Sequence, residues 1–411
     1  MCRQVRMASN NPTSSPSASM SNSMIGSPQS ARTLSQPRAN GNTVQPPPAP
    51  HDMLIAANTL TQFVTVLFTS AGVTAENSAI VASHLVDANL KGHDSHGVGM
   101  IPHYIRNLLA KSMSPNAEIK VLKDNGAILL IDGCAGFGQV VGAQATKLAL
   151  ERVKDTGIVC VGLRNAHHLG RIGSYGEQCG NAGYVSIHFV NEVGHAPQVS
   201  PWGGRGRRMS TNPFCCVVPR PGTTPIVLDM ATSAMARGRV RMAHMKDEPV
   251  ADGALVDSEG LPTTDARVMF EAPFGALSPF GQHKGYGLAL MCELLGGALV
   301  GHWTAQTEGR PNNTIINNML MFVIDPDAFG GRAAFDAEAA AMIEYLRSTS
   351  PAKGFDKVRV PGERGLESSA ARSAAGVPID DNSWAGILRA ARHVGLSQEK
   401  VAQLTGSPKF A

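Results

Sequence analysis

Histidines in two short glycine-ended loops are the first candidates for chemistry in this sequence. His93 and His96 lie in the first loop, and His167 and His168 lie in the second. Imidazole titrates near neutral pH, and catalytic groups concentrate in loops, so these residues could supply a general acid or base. Two alternatives stay open: the histidines cap or cover the surface, or His93 and His96 bind a metal at helical spacing. No acid-rich cluster completes such a metal site.

Two other positions could bind a charged ligand. Gln282–Gly287 precedes a long apolar run, and the N–H groups of a helix start together with Lys284 could bind a pyrophosphate or a carboxylate. Asp229, between a predicted strand and a predicted helix, could accept a hydrogen bond from a ribose hydroxyl or simply cap that helix. Each pattern also fits an ordinary surface turn.

The glycine-rich run Gly136–Gly142 follows a predicted strand and resembles a dinucleotide-binding turn. Its third glycine comes one residue late. Asp155, the acid near the usual distance, falls at a helix end rather than after a second strand. We therefore expect a tight turn here rather than a Rossmann cofactor site.

The elements that must position these residues alternate between strand and helix. Helical periodicity begins at Met53, and a second helix begins at Thr74 and ends at Lys91. Short apolar runs predict strands at Ile119–Leu122, Ala127–Asp132, Ile158–Leu163, Tyr184–Val190, Phe214–Pro219, Ile226–Asp229 and Met319–Asp325. Further helices are predicted at Pro102–Lys111, Val141–Lys154, Ile172–Ala182, Thr232–Met245, Tyr286–Val300 and Asp336–Ser348, and two short ones follow Ile379. This alternation predicts an α/β fold.

Charge and cysteine content exclude several classes of protein. The net charge of +4 is carried by four arginines in residues 1–51, a segment without acids, so the remainder sums to zero and offers no basic face for nucleic acid. The seven cysteines lack C-x-x-C spacing, which favours reduced thiols in a cytoplasmic protein. No apolar stretch reaches the length of a membrane span, so we expect no membrane partner.

Residues 1–50 contain ten Ser and eight Pro and almost nothing large and apolar. This composition predicts a disordered low-complexity extension, because too little apolar surface is available to offset the entropy of ordering.

Six motifs occur in order along the rest of the chain: Gly92–Pro102, Asn165–Gly173, Ser210–Phe214, Leu228–Ser233, Pro279–Gly287 and Val360–Glu363. Together they resemble the malate/L-lactate dehydrogenase family of the type 2, non-Rossmann kind. The sequence segments GHDSHG, NxHHxGRIG and HFVNxVGH are most similar to those of bacterial hydroxycarboxylate dehydrogenases. The resemblance runs from about residue 53 to about residue 405.

The resemblance implies an enzyme that reversibly reduces 2-oxo acids to 2-hydroxy acids with NAD(H) or NADP(H), working as a homodimer. It implies a non-Rossmann mixed-sheet cofactor domain over residues 119–334. A second, largely helical domain for dimerisation and substrate binding would combine residues 51–118 and 335–411.

The resemblance also implies roles for individual residues. His168 matches the acid/base, and Ser95 and His96 would approach the nicotinamide and the substrate. Cofactor contacts are implied for His96, Gly170, Arg171, Ile172, Val227, Leu228, Asp229, Met230, Ala231, His283, Asn317, Gly362, Glu363, Arg364 and Gly365, with Lys284 beside them. Arg364 and Arg171 could meet a 2′-phosphate, whereas Glu363 could hold a free 2′-hydroxyl.

Met100 departs from the family pattern, because many relatives carry Arg at this position. A substrate carboxylate needs a fixed cation, so Arg171 and Lys284 become the candidates, and Met100 suggests room for a bulkier substrate side chain. Two other function classes remain: a metal-dependent hydrolase that uses the histidine loops, and a non-catalytic ligand-binding protein of the same fold.

Overall fold

The computed structural model describes residues 53–306, 308–309, 311 and 313–406, so the predicted disordered extension lies outside the described residues. The helices are α1 (Ala57–Ser70), α2 (Ala75–Leu90), α3 (Ile101–Leu109), α4 (Gly138–Thr156), α5 (Gly173–Asn181), α6 (Arg237–Met245), α7 (His283–Met291), α8 (Arg332–Arg347), α9 (Glu363–Ala375), α10 (Asp381–His393) and α11 (Gln398–Thr405). The strands are β1 (Met53–Ile55), β2 (Lys120–Asp124), β3 (Ile128–Asp132), β4 (Ile158–His167), β5 (Val185–Val193), β6 (Phe214–Val218), β7 (Ile226–Met230), β8 (Leu255–Val256), β9 (Pro262–Thr263), β10 (Ala276–Leu277), β11 (Ile316–Ile324) and β12 (Val377–Ile379).

A seven-stranded mixed sheet forms the centre, in the order β2-β3-β4-β11-β5-β6-β7. Strands β3 and β4 are parallel and joined through α4, and every other neighbouring pair is antiparallel. β4 and β11 occupy the middle and are mostly buried, as their near-continuous apolar sequences predict. The predicted α/β fold with a mixed sheet is confirmed.

Three hydrophobic clusters stabilise the described chain. One packs α4 and α5 against the sheet, and one joins α1–α3 with α10 and α11. The third lies around α6 and the small sheet β10-β8-β9, and the strands of this small sheet were not predicted from the sequence. The proposed division into a helical and a cofactor domain remains a prediction. Among the described residues, no helix combines the length and the apolar character that crossing a bilayer requires.

The predicted start of the second helix at Thr74 is confirmed. The Thr74 side chain accepts a hydrogen bond from the Asn77 N–H at the start of α2. Asp380 and Ser397 cap α10 and α11 in the same way.

The predicted helical start at Met53 is wrong. Met53–Ile55 forms β1, which pairs antiparallel with β12, and the helix begins only at Ala57. The partner strand lies more than 300 residues away in sequence, so local periodicity gives no signal for it.

The predicted helices Thr232–Met245 and Tyr286–Val300 are also partly wrong. The Thr232 N–H donates to the Thr211 carbonyl and the Ala234 N–H donates to the Ser278 carbonyl, so these groups cannot join a helix that begins before Arg237. The second helix begins at His283 and widens into π-helical turns over Cys292–Ala298. Helix α9 was not predicted at all.

Candidate active site

The His168 backbone is held where β4 ends. His167 N–H donates to the Gly136 carbonyl, and Leu169 N–H donates to Asn317 Oδ1 at 2.8 Å. A Cβ at Gly138 would overlap the His168 carbonyl, so glycine is required where α4 begins against this segment. The glycine-rich run therefore positions the histidine loop, in agreement with the expectation of a tight turn rather than a Rossmann site.

The loop that carries Ser95 and His96 is fixed by Asn89 from α2. Asn89 Nδ2 donates to Asp94 Oδ1 at 2.7 Å, and Asn89 Oδ1 accepts from the Val98 N–H at 2.8 Å. A Cβ at Gly97 would overlap the Asn89 side chain. The motif thus needs glycine at this position because the amide packs directly on the backbone.

These two loops bring His96 and His168 together as an imidazole pair. Their rings are stacked with centroids 5.5 Å apart and planes inclined by 20°. Ser95 Oγ lies 3.0 Å from His96 Nδ1, and Tyr104 Oη lies 2.7 Å from His168 Nδ1. The three predicted catalytic residues are therefore neighbours, although their roles remain a prediction.

Tyr104 and Gln139 complete the surroundings of His168, and sequence reasoning missed both. Gln139 Nε2 donates to Tyr104 Oη at 2.8 Å, so the hydroxyl links α4 to the His168 ring. Because Nδ1 of His168 is held by Tyr104, Nε2 is the ring atom left for a substrate. Tyr104 lies within the helix that follows the first histidine motif, which is the signal that could have identified it.

Burial keeps the imidazole pair uncharged. It lowers the pKa of His168 well below the usual range, and the His96 charge adds to this effect while Glu192 opposes it. Burial also lowers the pKa of His96, although Asp229 and Glu192 oppose the shift. The pKa of Tyr104 is raised by burial, so its hydroxyl keeps its proton.

A charged pair, Glu192 and His195, lies close enough to influence both imidazoles. Glu192 Oε1 lies 2.8 Å from His195 Nε2, and Oε2 accepts from Ser210 Oγ and Thr211 Oγ1. Although burial opposes ionisation, His195 and these hydrogen bonds hold the pKa of Glu192 well below its usual range. Glu192 lies within the HFVNxVGH segment at the end of β5, and its place in that segment is the signal that was overlooked.

The second set of predicted residues forms an ion cluster of Asp87, Lys91, Arg171, Glu177 and Asp229. Arg171 Nη2 lies 2.6 Å from Glu177 Oε1, and its other nitrogens lie 3.5 Å from Asp87 and 3.6 Å from Asp229. Lys91 Nζ lies 2.6 Å from Glu177 Oε2. The Arg171 side chain is only 5% exposed, and its carboxylate partners argue against the predicted role as a substrate cation.

Asp229 and the neighbouring backbone connect this cluster to the loops at Gly170 and Gly362. Asp229 Oδ2 accepts from the Gly173 N–H at 2.9 Å, so it caps the start of α5 rather than the helix after β7. Val227 N–H donates to the Pro361 carbonyl, and Gly362, at φ +97°, lies against Val227. The structure thus groups three predicted cofactor segments: Gly170–Ile172, Val227–Ala231 and Gly362–Gly365.

The remaining predicted cofactor residues differ in accessibility. His283 and Lys284 are exposed in the first turn of α7, after a loop whose Phe280 N–H donates to the Thr232 carbonyl. Asn317 is buried, and its amide also donates to the Asn191 carbonyl, so it holds β5 and the His168 loop together.

Two other sequence expectations concern Met100 and metal binding. Met100 is half-buried and packs against the helical hydrophobic cluster. Among the described residues, no group of three or more His, Cys, Asp or Glu side chains could hold a metal ion. His93 is largely enclosed, and burial lowers its pKa to about 4.

Comparison with known proteins identifies the family. The model of the malate/L-lactate dehydrogenase family matches residues 55–388. Hydroxycarboxylate dehydrogenase B from Escherichia coli (strain K12) is 43% identical over 345 residues, which cover 84% of this chain and 95% of that protein. L-lactate dehydrogenase from Cupriavidus necator is 38% identical over 346 residues, which cover 84% of this chain and 99% of that protein.

Solved structures agree with the sequence relatives. A malate/lactate dehydrogenase from E. coli matches with a TM-score of 0.82 at 42% identity, covering 86% of this chain and 100% of that one. Sulfolactate dehydrogenase from Methanocaldococcus jannaschii matches with a TM-score of 0.76 at 33% identity, covering 84% and 98%. The chain therefore belongs to the malate/L-lactate dehydrogenase family and is an oxidoreductase of the hydroxy acid dehydrogenase class.

Proposed function

We propose that this protein catalyses the reversible reduction of 2-oxo acids to 2-hydroxy acids with NADH or NADPH, and that His168 transfers the proton. The arrangement of His168 carries this proposal, because the ring is buried, stacked on His96 and held through Nδ1 by Tyr104. The printed names of the relatives, which include lactate, malate and sulfolactate dehydrogenases, support the substrate class.

The proton transfer follows from the charge that develops on the substrate. When bound, the reduced nicotinamide supplies the hydride that the carbonyl carbon receives, and negative charge builds on the carbonyl oxygen. His168 in its protonated form stabilises this charge, donates its Nε2 proton to the oxygen and becomes neutral. Tyr104 keeps the ring oriented through Nδ1, and in the oxidation direction the neutral His168 accepts the hydroxyl proton at Nε2.

The region around Gly362 fits a bound dinucleotide. Its left-handed backbone lets the start of α9 lie directly against Val227, and the Lys91 side chain lies within 4 Å of the position of a Cβ at Gly365. The free N–H groups at a helix start favour phosphate. We propose that cofactor is held by Ser95 and His96 together with Gly170–Ile172, Val227–Ala231, His283, Lys284, Asn317 and Gly362–Gly365.

The choice between NAD and NADP depends on two neighbouring residues in our proposal. Arg171 is engaged by carboxylates and has little capacity for a 2′-phosphate. Glu363 accepts from the Val360 N–H and pairs with Arg347, so its carboxylate is fixed in the first turn of α9. Glu363 would favour a free 2′-hydroxyl, whereas Arg364 would favour a 2′-phosphate.

We further propose a homodimer in the cytoplasm. Large apolar side chains of α8 are exposed, namely Met342, Tyr345 and Leu346, and such patches mark protein interfaces. The six cysteines in the described residues are free thiols, which suits a reducing compartment. Light scattering that gives the mass of one chain would contradict the dimer.

The direct test measures the near-ultraviolet absorbance of NADH and NADPH with a panel of 2-oxo acids, with and without a chelator. We expect oxidation of at least one cofactor by at least one 2-oxo acid, unaffected by the chelator. Chelator-sensitive hydrolysis would instead favour the metal-dependent hydrolase, and ligand binding without turnover would favour the non-catalytic protein.

A further inference from the structure

A 2-oxo acid presents a carboxylate next to the carbonyl carbon, so the proposed reaction needs a cation near Ser95, His96 and His168. The cations of the surrounding helices are already paired. Arg171 and Lys91 belong to the ion cluster, and Arg372 Nη1 lies 2.6 Å from Asp94 Oδ1. Met100 offers no charge. The substrate carboxylate therefore has to be bound by a different residue.

Helix α6 lies beside the loop that carries Ser95. A Cβ built on Gly238 would stand 3.6 Å from Ser95 Cβ, which is ordinary contact distance. Arg237, the first residue of α6, precedes that glycine. Glu192 raises the pKa of His195 although burial opposes this, and the Arg237 charge also opposes the rise; Glu192 in turn influences His168. The short distance between Gly238 and Ser95, together with the charge interaction with His195, thus places Arg237 at the edge of the active site.

The guanidinium of Arg237 is free to bind an anion. Its side chain is exposed, and its contact is the face of the Phe270 ring, with Cζ 5.8 Å from the centroid. No carboxylate in the part of the chain that the structure describes lies within ion-pair distance of it. A contact with an aromatic face at an exposed site is weak compared with a charge-assisted pair of hydrogen bonds, so exchanging it for a carboxylate is favourable.

Arg207, the neighbouring cation, is engaged differently. Its Nε donates to the Gly275 carbonyl at 2.5 Å, and its Nη2 donates to the Val268 and Met269 carbonyls. These bonds fix Arg207 within the third hydrophobic cluster, and its charge adds to the positive field around Arg237.

We propose that Arg237 binds the carboxylate adjacent to the carbonyl of the substrate and makes the enzyme specific for ionised 2-oxo acids. The proposal rests on the proposed function. A guanidinium offers two parallel N–H donors to a carboxylate, whereas the amide of the same acid lacks the charge and the second acceptor. Arg237 is thus a residue that determines specificity and contributes no proton.

The test compares the best 2-oxo acid of the panel with its carboxamide in wild type and in Arg237→Met. We expect kcat/KM for the acid to fall about a hundredfold in the variant, mainly through KM, while kcat/KM for the amide changes less than about threefold. Arg239→Met is the matched control, because Arg239 is also exposed but points about 200° away around α6. Thermal melting of each variant checks that the fold is kept.

Each result of this test has a separate meaning. A wild type that reduces no 2-oxo acid overturns both the proposed function and the role of Arg237. An active wild type with an unchanged Arg237→Met variant, or with equal losses for acid and amide, overturns only the role of Arg237. If Lys284→Met instead removes the preference for the acid, that lysine binds the carboxylate and the Arg237 proposal is wrong.

Discussion

The imidazole pair and the ion cluster lie close together but use burial in opposite ways. In the imidazole pair, burial keeps His96 and His168 uncharged, and each ring keeps a nitrogen for chemistry. In the ion cluster, burial opposes the charge of Arg171, but its bonds to Glu177 and the nearby Asp229 hold its pKa above the usual range. A buried charge that is surrounded by opposite charges holds structure together, whereas a buried group that is held but able to change protonation can do catalysis.

The largest effect should come from breaking the ion cluster. Arg171→Met leaves Asp87 and Glu177 with Lys91 alone and takes away the ion-pair partner of Asp229. Removing one partner of a buried ion pair costs about 3–5 kcal/mol of unfolding free energy. Denaturant unfolding measures this change. Arg152→Met is the control, because its pair with the half-exposed Asp124 is screened by solvent and should contribute little to stability. A stable Arg171→Met enzyme with weakened substrate binding would restore Arg171 as a substrate cation.

Removing the hydroxyl that holds His168 should have the next largest effect. Tyr104→Phe keeps the packing of a buried ring but releases Nδ1 of His168, so we expect turnover to fall about tenfold with cofactor binding unchanged. Steady-state kinetics measure the loss. Tyr184→Phe, remote from the two loops, should retain full turnover. Equal losses in both variants would show that the Tyr104 hydroxyl has no specific role.

Adding a charge beside the imidazole pair should alter specificity more than stability. Met100→Arg would fill space next to the helical cluster and introduce a cation, so kcat/KM for bulky 2-oxo acids should fall several-fold relative to pyruvate or glyoxylate. A substrate panel at fixed cofactor concentration measures the ratio. A uniform change across the panel would show that Met100 does not face the substrate side chain.

The smallest effect should be a displacement of the pH profile. The Glu192 charge opposes the lowering of the His168 pKa by burial, so Glu192→Gln should lower that pKa further. Reduction requires protonated His168, so its rate falls as pH rises through this pKa. Because the pKa is lower in Glu192→Gln, the rate of the variant should fall at lower pH than that of the wild type. Profiles of kcat/KM for wild type, Glu192→Gln and the exposed control Glu151→Gln make the comparison. An unmoved profile would remove Glu192 from the electrostatics of the site.

The contrast between the two regions also explains how much could be predicted from the sequence. His96 and His168 were predicted because their residue type suggests chemistry, and an α/β sheet was predicted from the alternation of apolar strands with helices. The mixed, non-Rossmann character of the sheet was implied only by the family resemblance. The pairing of Arg171 with Asp87 and Glu177 could not be predicted, because it depends on which helices meet in space. The resemblance named Arg171, but a sequence does not show that three carboxylates already surround a guanidinium.

Other elements were missed for the same reason, namely that they depend on contacts between distant parts of the chain. Strand β1 depends on β12, and the late start of α6 depends on backbone bonds to Thr211 and Ser278, so both are decided by tertiary partners. Tyr104 and Gln139 were missed because neither residue type signals catalysis until the fold brings both against one imidazole. Capped helices such as α2 were predicted well because the cap and the apolar period are local in sequence.

The proton-transfer role of His168 is the central claim, and turnover of His168→Asn tests it most directly. Asparagine cannot exchange a proton near neutral pH, so we expect turnover to fall about a hundredfold or more, while titration by nicotinamide fluorescence shows cofactor affinity little changed. Unaltered turnover would contradict the account, and a collapse of cofactor affinity would place His168 in the binding site instead.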